Sequence, residues 1–143
     1  MKLNIKRQIR YRQKMNFVID KLSNIPKDIE DSLVVDAVLY RTQISIDAVM
    51  DIIAMMVKDK GKEVSDDYHN IETLSKIKFL DEKLAGDLTM LNGLRNAIVH
   101  KYNTFEEDTV INNIKKIKKI IENFFELVED EIKTRPKSNK KGA

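Results

Sequence analysis

One long stretch of helical periodicity restricts most what this chain can fold into. From near Asp28–Asp31 to about Lys58, apolar residues recur every three or four positions. These positions are Val34, Val35, Val38, Leu39, Ile44, Ala48, Ile52, Met55 and Met56. They make a wide apolar face, which predicts a helix buried from two sides, as in a bundle or against a partner chain.

Shorter periodic runs on either side of this helix predict four more helices. Their expected spans are 5–22, 68–77, 81–99 and about 104–132. Pro26 ends the first, Ser65 to Asp67 offer caps for the third, and Thr104 with Glu107 has the spacing of a capping box. Gly61 is expected just beyond the end of the long helix.

The expected fold is therefore all-α, an up-and-down bundle of four to five helices. Four glycines, two prolines and no tryptophan in a chain that is 34% charged agree with helices rather than sheet. A length of 143 residues indicates one domain. We expect it to span 1–133, followed by a basic, disordered tail at 134–143.

Several classes of protein are excluded by what the sequence lacks. There is no cysteine, so neither disulfides nor a zinc–thiolate site can form. The first residues do not resemble a signal peptide, and no apolar run approaches the length of a membrane span. We expect a soluble, cytoplasmic protein.

Charge is concentrated at the two ends of the chain. Residues 1–14 carry six basic groups and residues 133–143 carry five, with no acid in either segment. The middle holds all 23 acidic residues. Basic ends on an acidic body fit contact with nucleic acid or with an acidic partner, and equally fit plain solubility.

The stretch from Leu94 to Tyr102 carries the most chemistry. It places a guanidinium, an amide, an imidazole and a phenol within eight residues, at Arg95, Asn96, His100 and Tyr102. Arginine donors match phosphate oxygens, and histidine can move protons near neutral pH. The chemistry favours RNA cleavage or nucleotide binding; the alternative is a helix-terminal ion pair or a capping histidine.

This pattern, Arg95-x4-His100-x-Tyr102 with Asn96 after the arginine, resembles the signature of HEPN domains of the HepT type. Those domains are the toxin halves of HEPN/MNT toxin–antitoxin pairs. The resemblance covers about residues 7–132. Its other parts are the order of the helices, the run 40–47 with Asp51 on the long helix, and Asp67-Tyr68 before the short one.

The resemblance implies a metal-independent ribonuclease that needs no cofactor. It implies a homodimer in which the motifs of both protomers face one cleft. His100 would assist the ribose 2′-hydroxyl in attacking the adjacent phosphate, Arg95 would stabilise the developing charge, and Asn96 would orient the site. Cleavage of this kind needs both a general base and a general acid, and two copies of His100 would supply the pair.

The resemblance also implies a partner, a nucleotidyltransferase antitoxin of the MNT type. Such an antitoxin would transfer AMP to Tyr102, and the added nucleotide would fill the cleft with negative charge. The competing hypothesis is a non-catalytic helical module that binds a nucleotide or docks a nucleotidyltransferase. Loss of activity in a His100→Ala variant would separate the two.

Other polar residues allow a functional and a plain interpretation. Asp47 and Asp51 share one helix face and could orient Arg95 or bind a metal, although such pairs are more often solvated. No third ligand is evident, so no metal site is expected. Four lysines at 115, 116, 118 and 119 could contact RNA, but a solvated face is the favoured interpretation. His69 is expected to be an ordinary surface residue.

Overall fold

The computed structural model describes residues 3–100 and 107–133, which form six α-helices and no strand. The prediction of an all-helical fold is confirmed. The helices are α1 (Ile5–Ser23), α2 (Ser32–Asp59), α3 (Asp67–Lys76), α4 (Glu82–His100), α5 (Glu107–Asn112) and α6 (Ile114–Ile132).

The four long helices alternate in direction, so the prediction of an up-and-down bundle is also correct. Arg7, near the start of α1, reaches Asp59 at the end of α2, so these helices are antiparallel. Lys60 binds Glu131 near the end of α6, so α6 runs parallel to α2. The first turns of α4 and the C-terminal half of α6 line the same cavity. The start of α4 is therefore near the end of α6, and these two helices are antiparallel. The short α3 packs on α2 and α4.

Helix α2 lies at the centre of this bundle. It contacts α1, α3, α4 and α5, and 13 of its 28 residues are buried. Ile46, Val49, Ile52, Ile53 and Met56 are fully enclosed. The wide apolar face is thus covered by neighbouring helices of the same chain. Truncating one of these residues to alanine would cost about 2–5 kcal/mol.

Capping residues set the helix ends close to where the sequence places them. Asp31 accepts a hydrogen bond from the Leu33 amide at 2.7 Å, so α2 begins at Ser32, slightly later than expected. Asp66 caps α3 through the amide of His69. Gly61 has a positive φ of 76° and follows α2 in a Schellman motif, in which its amide and that of Lys62 bind back to the last turn.

The expected fifth helix is divided, which corrects the prediction of one helix to about Ile132. Helix α5 ends at Asn112 and α6 begins at Ile114. The Asn113 side chain donates to the Thr109 carbonyl at 2.6 Å, and side-chain bonds to the backbone of this kind compete with helix propagation. The proposed capping box at Thr104 and the tail 134–143 lie outside the described residues. None of the described helices is long and apolar enough to cross a bilayer.

Candidate functional site

Arg95 is the centre of a polar cluster between α2 and α4. It lies in the last two turns of α4, and its side chain is 30% exposed. Its Nε donates to a carboxylate oxygen of Asp47 on α2 at 2.5 Å, and its Nη1 donates to the Asn96 side chain at 3.1 Å. A charge-assisted bond and a second acceptor together restrict the orientation of the guanidinium plane.

The guanidinium still has donors available for a ligand. An arginine carries five N–H groups, and Asp47 and Asn96 occupy one nitrogen each. Within the described part of the chain, Nη2 makes no hydrogen bond. Since the side chain is also partly exposed, Arg95 can present a fixed edge to an incoming phosphate oxygen.

Three carboxylates lie in or beside this cluster, at Asp47, Asp51 and Asp67, and Asp47 is the one that binds Arg95. Burial raises the pKa of Asp67, with a further rise from the charges of Asp47 and Asp51 and an opposing effect from Arg95. Asp67 opens α3, so this short helix brings a third acid to the cluster. The site therefore carries more negative than positive charge when its carboxylates are ionised.

Asp47 and Asp51 share one face of α2 but have different partners. Asp47 binds Arg95, whereas Asp51 is mostly exposed and pairs with Lys14 of α1 at 3.4 Å. Asp47 therefore supports Arg95 directly, and Asp51 does not contact it. Two nearby residues, Lys14 and Asp67, were not predicted as part of the site, because only helix packing brings them there.

Helix α3 approaches α4 closely at Gly93. The hydroxyl of Tyr68, itself half-exposed, lies 3.9 Å from the position that a Cβ would occupy on Gly93. Gly93 lies two residues before Arg95 on the same helix. The first turn of α3 thus packs against α4 and carries both Tyr68 and Asp67, whose pKa responds to the charge of Arg95.

His100 is the last residue of α4 and is exposed. The helix extends one residue further than expected, so Arg95 and His100 lie on the same helix, five residues apart. On an ideal helix this spacing corresponds to a rise of about 7.5 Å and a rotation of about 140°. Tyr102, the third residue of the motif, lies outside the described residues.

Two further observations concern metals and the second histidine. Among residues 3–100 and 107–133, no group of three His, Asp or Glu side chains is arranged to hold a metal ion. His69 is exposed as expected, but it has a partner. Its ring nitrogen lies 2.8 Å from Asp66, and this hydrogen bond raises the pKa of His69.

A cavity of about 650 Å³ lies elsewhere, between α1 and α6. Met15, Ile19 and Phe125 form its apolar part, and Glu122 and Glu126 lie at its edge. It shares no residue with the cluster around Arg95. The candidate site therefore lies at an open surface and not in this cavity.

Fold and site together define a helical-bundle protein with an oriented arginine and a nearby histidine at the end of one helix. A profile described as "Ribonuclease HepT-like" matches residues 10–128. The chain belongs to this HepT-like family.

Curated relatives agree with this assignment. A protein of Archaeoglobus fulgidus is 40% identical over 124 residues, which are 87% of this chain and 94% of the relative. A second protein of the same organism is 36% identical over 124 residues, or 86% and 94% of the two chains. Both are provisionally named RNases.

Solved structures share the HEPN fold. A toxin–antitoxin crystal structure with AMP-PNP superimposes with a TM-score of 0.76 at 18% identity, covering 88% of this chain and 99% of the other. The tri-AMPylated HEPN toxin of Shewanella oneidensis in complex with its MNT antitoxin gives 0.70 at 17% identity, covering 90% and 99%. YutE of Bacillus subtilis, of unknown function, gives 0.75 at 14% identity, covering 95% and 94%.

Proposed function

We propose that this protein is a metal-independent endoribonuclease, the toxin of a HEPN/MNT toxin–antitoxin pair. The observation that carries the proposal is the orientation of Arg95. Asp47 and Asn96 hold its guanidinium in place, and Nη2, which makes no hydrogen bond within residues 3–100 and 107–133, can bind a phosphate oxygen. His100 ends the same helix, so both groups of the motif are on one element.

The proposed reaction is transesterification within the RNA strand. His100 removes the proton of a ribose 2′-hydroxyl, and the resulting oxygen attacks the adjacent phosphorus. Arg95 stabilises the charge that develops on the phosphorane oxygens. The bond between phosphorus and the 5′-oxygen then breaks, and a general acid protonates that oxygen. The products are a 2′,3′-cyclic phosphate and a 5′-hydroxyl.

The general acid in this scheme is His100 of a second copy of the chain. One protomer has two histidines, and His69 is bound to Asp66 on α3. A two-fold axis beside the end of α4 would bring two copies of His100 to one cleft. The active species is therefore a homodimer, and a monomeric variant would lose cleavage while keeping its fold.

We propose further that an MNT-type nucleotidyltransferase neutralises the toxin by modifying Tyr102. In this step the phenolic oxygen attacks the α-phosphorus of ATP, and pyrophosphate leaves. Support comes from the neighbouring HEPN toxin, which is AMPylated and bound to an MNT antitoxin. Coexpression with a cognate antitoxin should add the mass of AMP to the wild type. It should add none to Tyr102→Phe and should still modify Tyr40→Phe, whose tyrosine is an exposed residue on α2.

The test of the ribonuclease proposal uses the second histidine as a matched control. Wild type, His100→Ala and His69→Ala are expressed without a partner and incubated with total RNA in the presence of EDTA. Wild type and His69→Ala should produce fragments ending in a cyclic phosphate, and His100→Ala should lose at least about 100-fold in rate. Equal cleavage by the wild type and both variants would refute the role of His100.

If the unmodified wild-type dimer does not cleave RNA, the result would favour the competing function, a non-catalytic module that binds a nucleotide or a nucleotidyltransferase. Under that hypothesis, the Arg95 cluster would bind the nucleotide phosphate without chemistry. The non-catalytic function would then be supported if the wild type, which does not cleave RNA, binds AMP or ATP and Arg95→Ala does not.

A further inference from the structure

Helix α6 separates its charges along its length. Lys115, Lys116, Lys118 and Lys119 occupy four of the first six positions, and this part has no acid. We call these four residues the basic ledge. The acids of α6 all follow, at Glu122, Glu126, Glu129, Asp130 and Glu131. Isoleucines 117, 120 and 121 face the core, so the lysines lie on the other side of the helix.

This order of charges opposes the stability of the helix. The amino end of a helix carries partial positive charge, which favours acids and disfavours lysines. Lysines three and four positions apart, such as Lys115 with Lys118 and Lys119, also repel one another. Asn113, the N-cap residue of α6, makes no side-chain capping bond. A local arrangement that costs stability without a structural gain is typical of a functional surface.

The basic ledge also differs from the opposite end of the bundle in its ion pairs. There, Glu129 binds Arg12, Glu131 binds Lys60 and Asp59 binds Arg7. In the described part of the chain, none of the four lysines of the basic ledge forms an ion pair. Three of them are exposed, and Lys118 is half-buried beside the last turns of α1. Their charge is available to a partner.

The position of the basic ledge connects it to the proposed active site. Because α4 and α6 are antiparallel, the first turns of α6 lie towards the end of the bundle at which α4 finishes with His100. Only 13 residues separate His100 from the start of α6. The basic ledge and the candidate site are thus at the same end of the molecule.

We propose that the basic ledge binds the phosphate backbone of a single-stranded RNA and directs the strand to His100. This inference rests on the proposed ribonuclease function, whose substrate it describes. Lysine ammonium groups act as point charges for phosphates, and the basic ledge contains no aromatic residue on which a base could stack. The contact is therefore with the backbone, independent of sequence, and strongly dependent on salt.

The experiment measures binding in a variant that cannot cleave. A labelled oligouridylate is titrated with His100→Ala protein at several salt concentrations, with and without the four changes Lys115→Gln, Lys116→Gln, Lys118→Gln and Lys119→Gln. The matched control removes the same charge elsewhere, through Lys58→Gln, Lys62→Gln, Lys76→Gln and Lys83→Gln. All four control lysines are exposed and lie near the other end of the bundle.

We expect loss of the basic ledge to reduce the slope of log K against log salt by about 2 to 3, at about 0.7 per phosphate contact. The control should change the slope by less than about 1. Thermal unfolding verifies that both variants fold, and the variant without the basic ledge should melt at the same or a higher temperature, because its helix loses an unfavourable charge pattern.

Equal slopes for the two variants would overturn the inference. The same holds if RNA binding is unchanged while binding to polyglutamate is lost, which would indicate an acidic protein as the partner. Failure of the ribonuclease proposal has a different signature. In that case wild type does not cleave, whatever the binding of the His100→Ala proteins shows.

Discussion

Two ionic clusters of this bundle resemble each other in composition and differ in their exposure to solvent. One joins Arg7, Tyr11 and Asp59 near the ends of α1 and α2; the other joins Arg95, Asn96 and Asp47 between α2 and α4. Each contains an arginine bound to an aspartate of α2. The two arginines are similarly exposed, at 26% for Arg7 and 30% for Arg95, but Asp59 is 13% exposed and Asp47 is 37% exposed. We therefore call the first the closed cluster and the second the open cluster.

Burial explains the difference in chemistry. Tyr11 is fully enclosed, and its hydroxyl donates to Asp59 at 2.6 Å while Arg7 binds the same carboxylate oxygen. Burial, together with the bond to Asp59, raises the pKa of the Tyr11 phenol. Around Arg95 both partners remain about one-third exposed. A closed cluster stabilises the fold, whereas an open one can exchange a protein contact for a ligand.

Among the variants that test this difference between the two clusters, Arg95→Lys is expected to have the largest effect, on the rate of RNA cleavage. Lysine keeps the charge but cannot bind Asp47, Asn96 and a phosphate through one rigid plane. RNA cleavage should fall by about 100-fold or more, with little change in the unfolding midpoint. Arg7→Lys is the matched change in the closed cluster and should leave the cleavage rate within about twofold, since that cluster touches no substrate. If Arg95→Lys retains its cleavage activity, the proposed role of Arg95 in RNA cleavage is refuted.

The reverse pattern is expected from Tyr11→Phe. This variant removes one hydroxyl from a buried cluster and should lower the free energy of unfolding by about 1–2 kcal/mol, because Asp59 loses a hydrogen bond in a partly buried place. Denaturant unfolding measures the loss, and the rate of RNA cleavage should not change. Tyr68→Phe serves as the exposed control and should cost less than about 0.5 kcal/mol. Equal losses in the two variants would contradict the structural role of Tyr11.

A smaller effect separates the two acids of α2. Asp47→Asn keeps the shape of the residue and weakens the bond that orients Arg95, so cleavage should fall by about tenfold with a smaller change in substrate binding. Asp51→Asn removes an exposed pair with Lys14 and leaves the bond between Asp47 and Arg95 intact, so both its rate and its stability should stay near wild type. If Asp51→Asn lowers the rate as much as Asp47→Asn, orientation of Arg95 is not the cause.

The smallest effect concerns the pH dependence of stability at Asp67. Its pKa is raised in the folded protein, so ionisation near pH 7 costs stability, and this cost disappears as pH falls below the pKa of an unfolded aspartate, about 3.9. Asp67→Asn should therefore raise the unfolding free energy at pH 7 by about 0.5 kcal/mol or less. The gain over wild type should shrink on acidification. A loss of stability at pH 7 would show instead that attraction to Arg95 dominates.

Much of the fold could be predicted because its signals are local. Apolar spacing located the long helix, the run from Ser65 to Asp67 marked the start of α3, and Gly61 marked the end of α2. The division between α5 and α6 could not be predicted, because Ile111, Ile114 and Ile117 continue one helical period across it. The Asn113 side chain decides that break by binding a backbone carbonyl one turn earlier.

The candidate site divides in the same way. Arg95, Asn96 and His100 lie within six residues of chain, so the sequence alone determined that these groups are close along the chain at the end of one helix. The inclusion of His100 in α4 is a finding of the structure. From the acids of α2 it also selected Asp47 and Asp51, which share a helix face, as the candidates to support Arg95. Only the tertiary structure decided which of the two binds Arg95 and that Asp67 joins them. Those contacts depend on how α2, α3 and α4 pack, which no local pattern specifies.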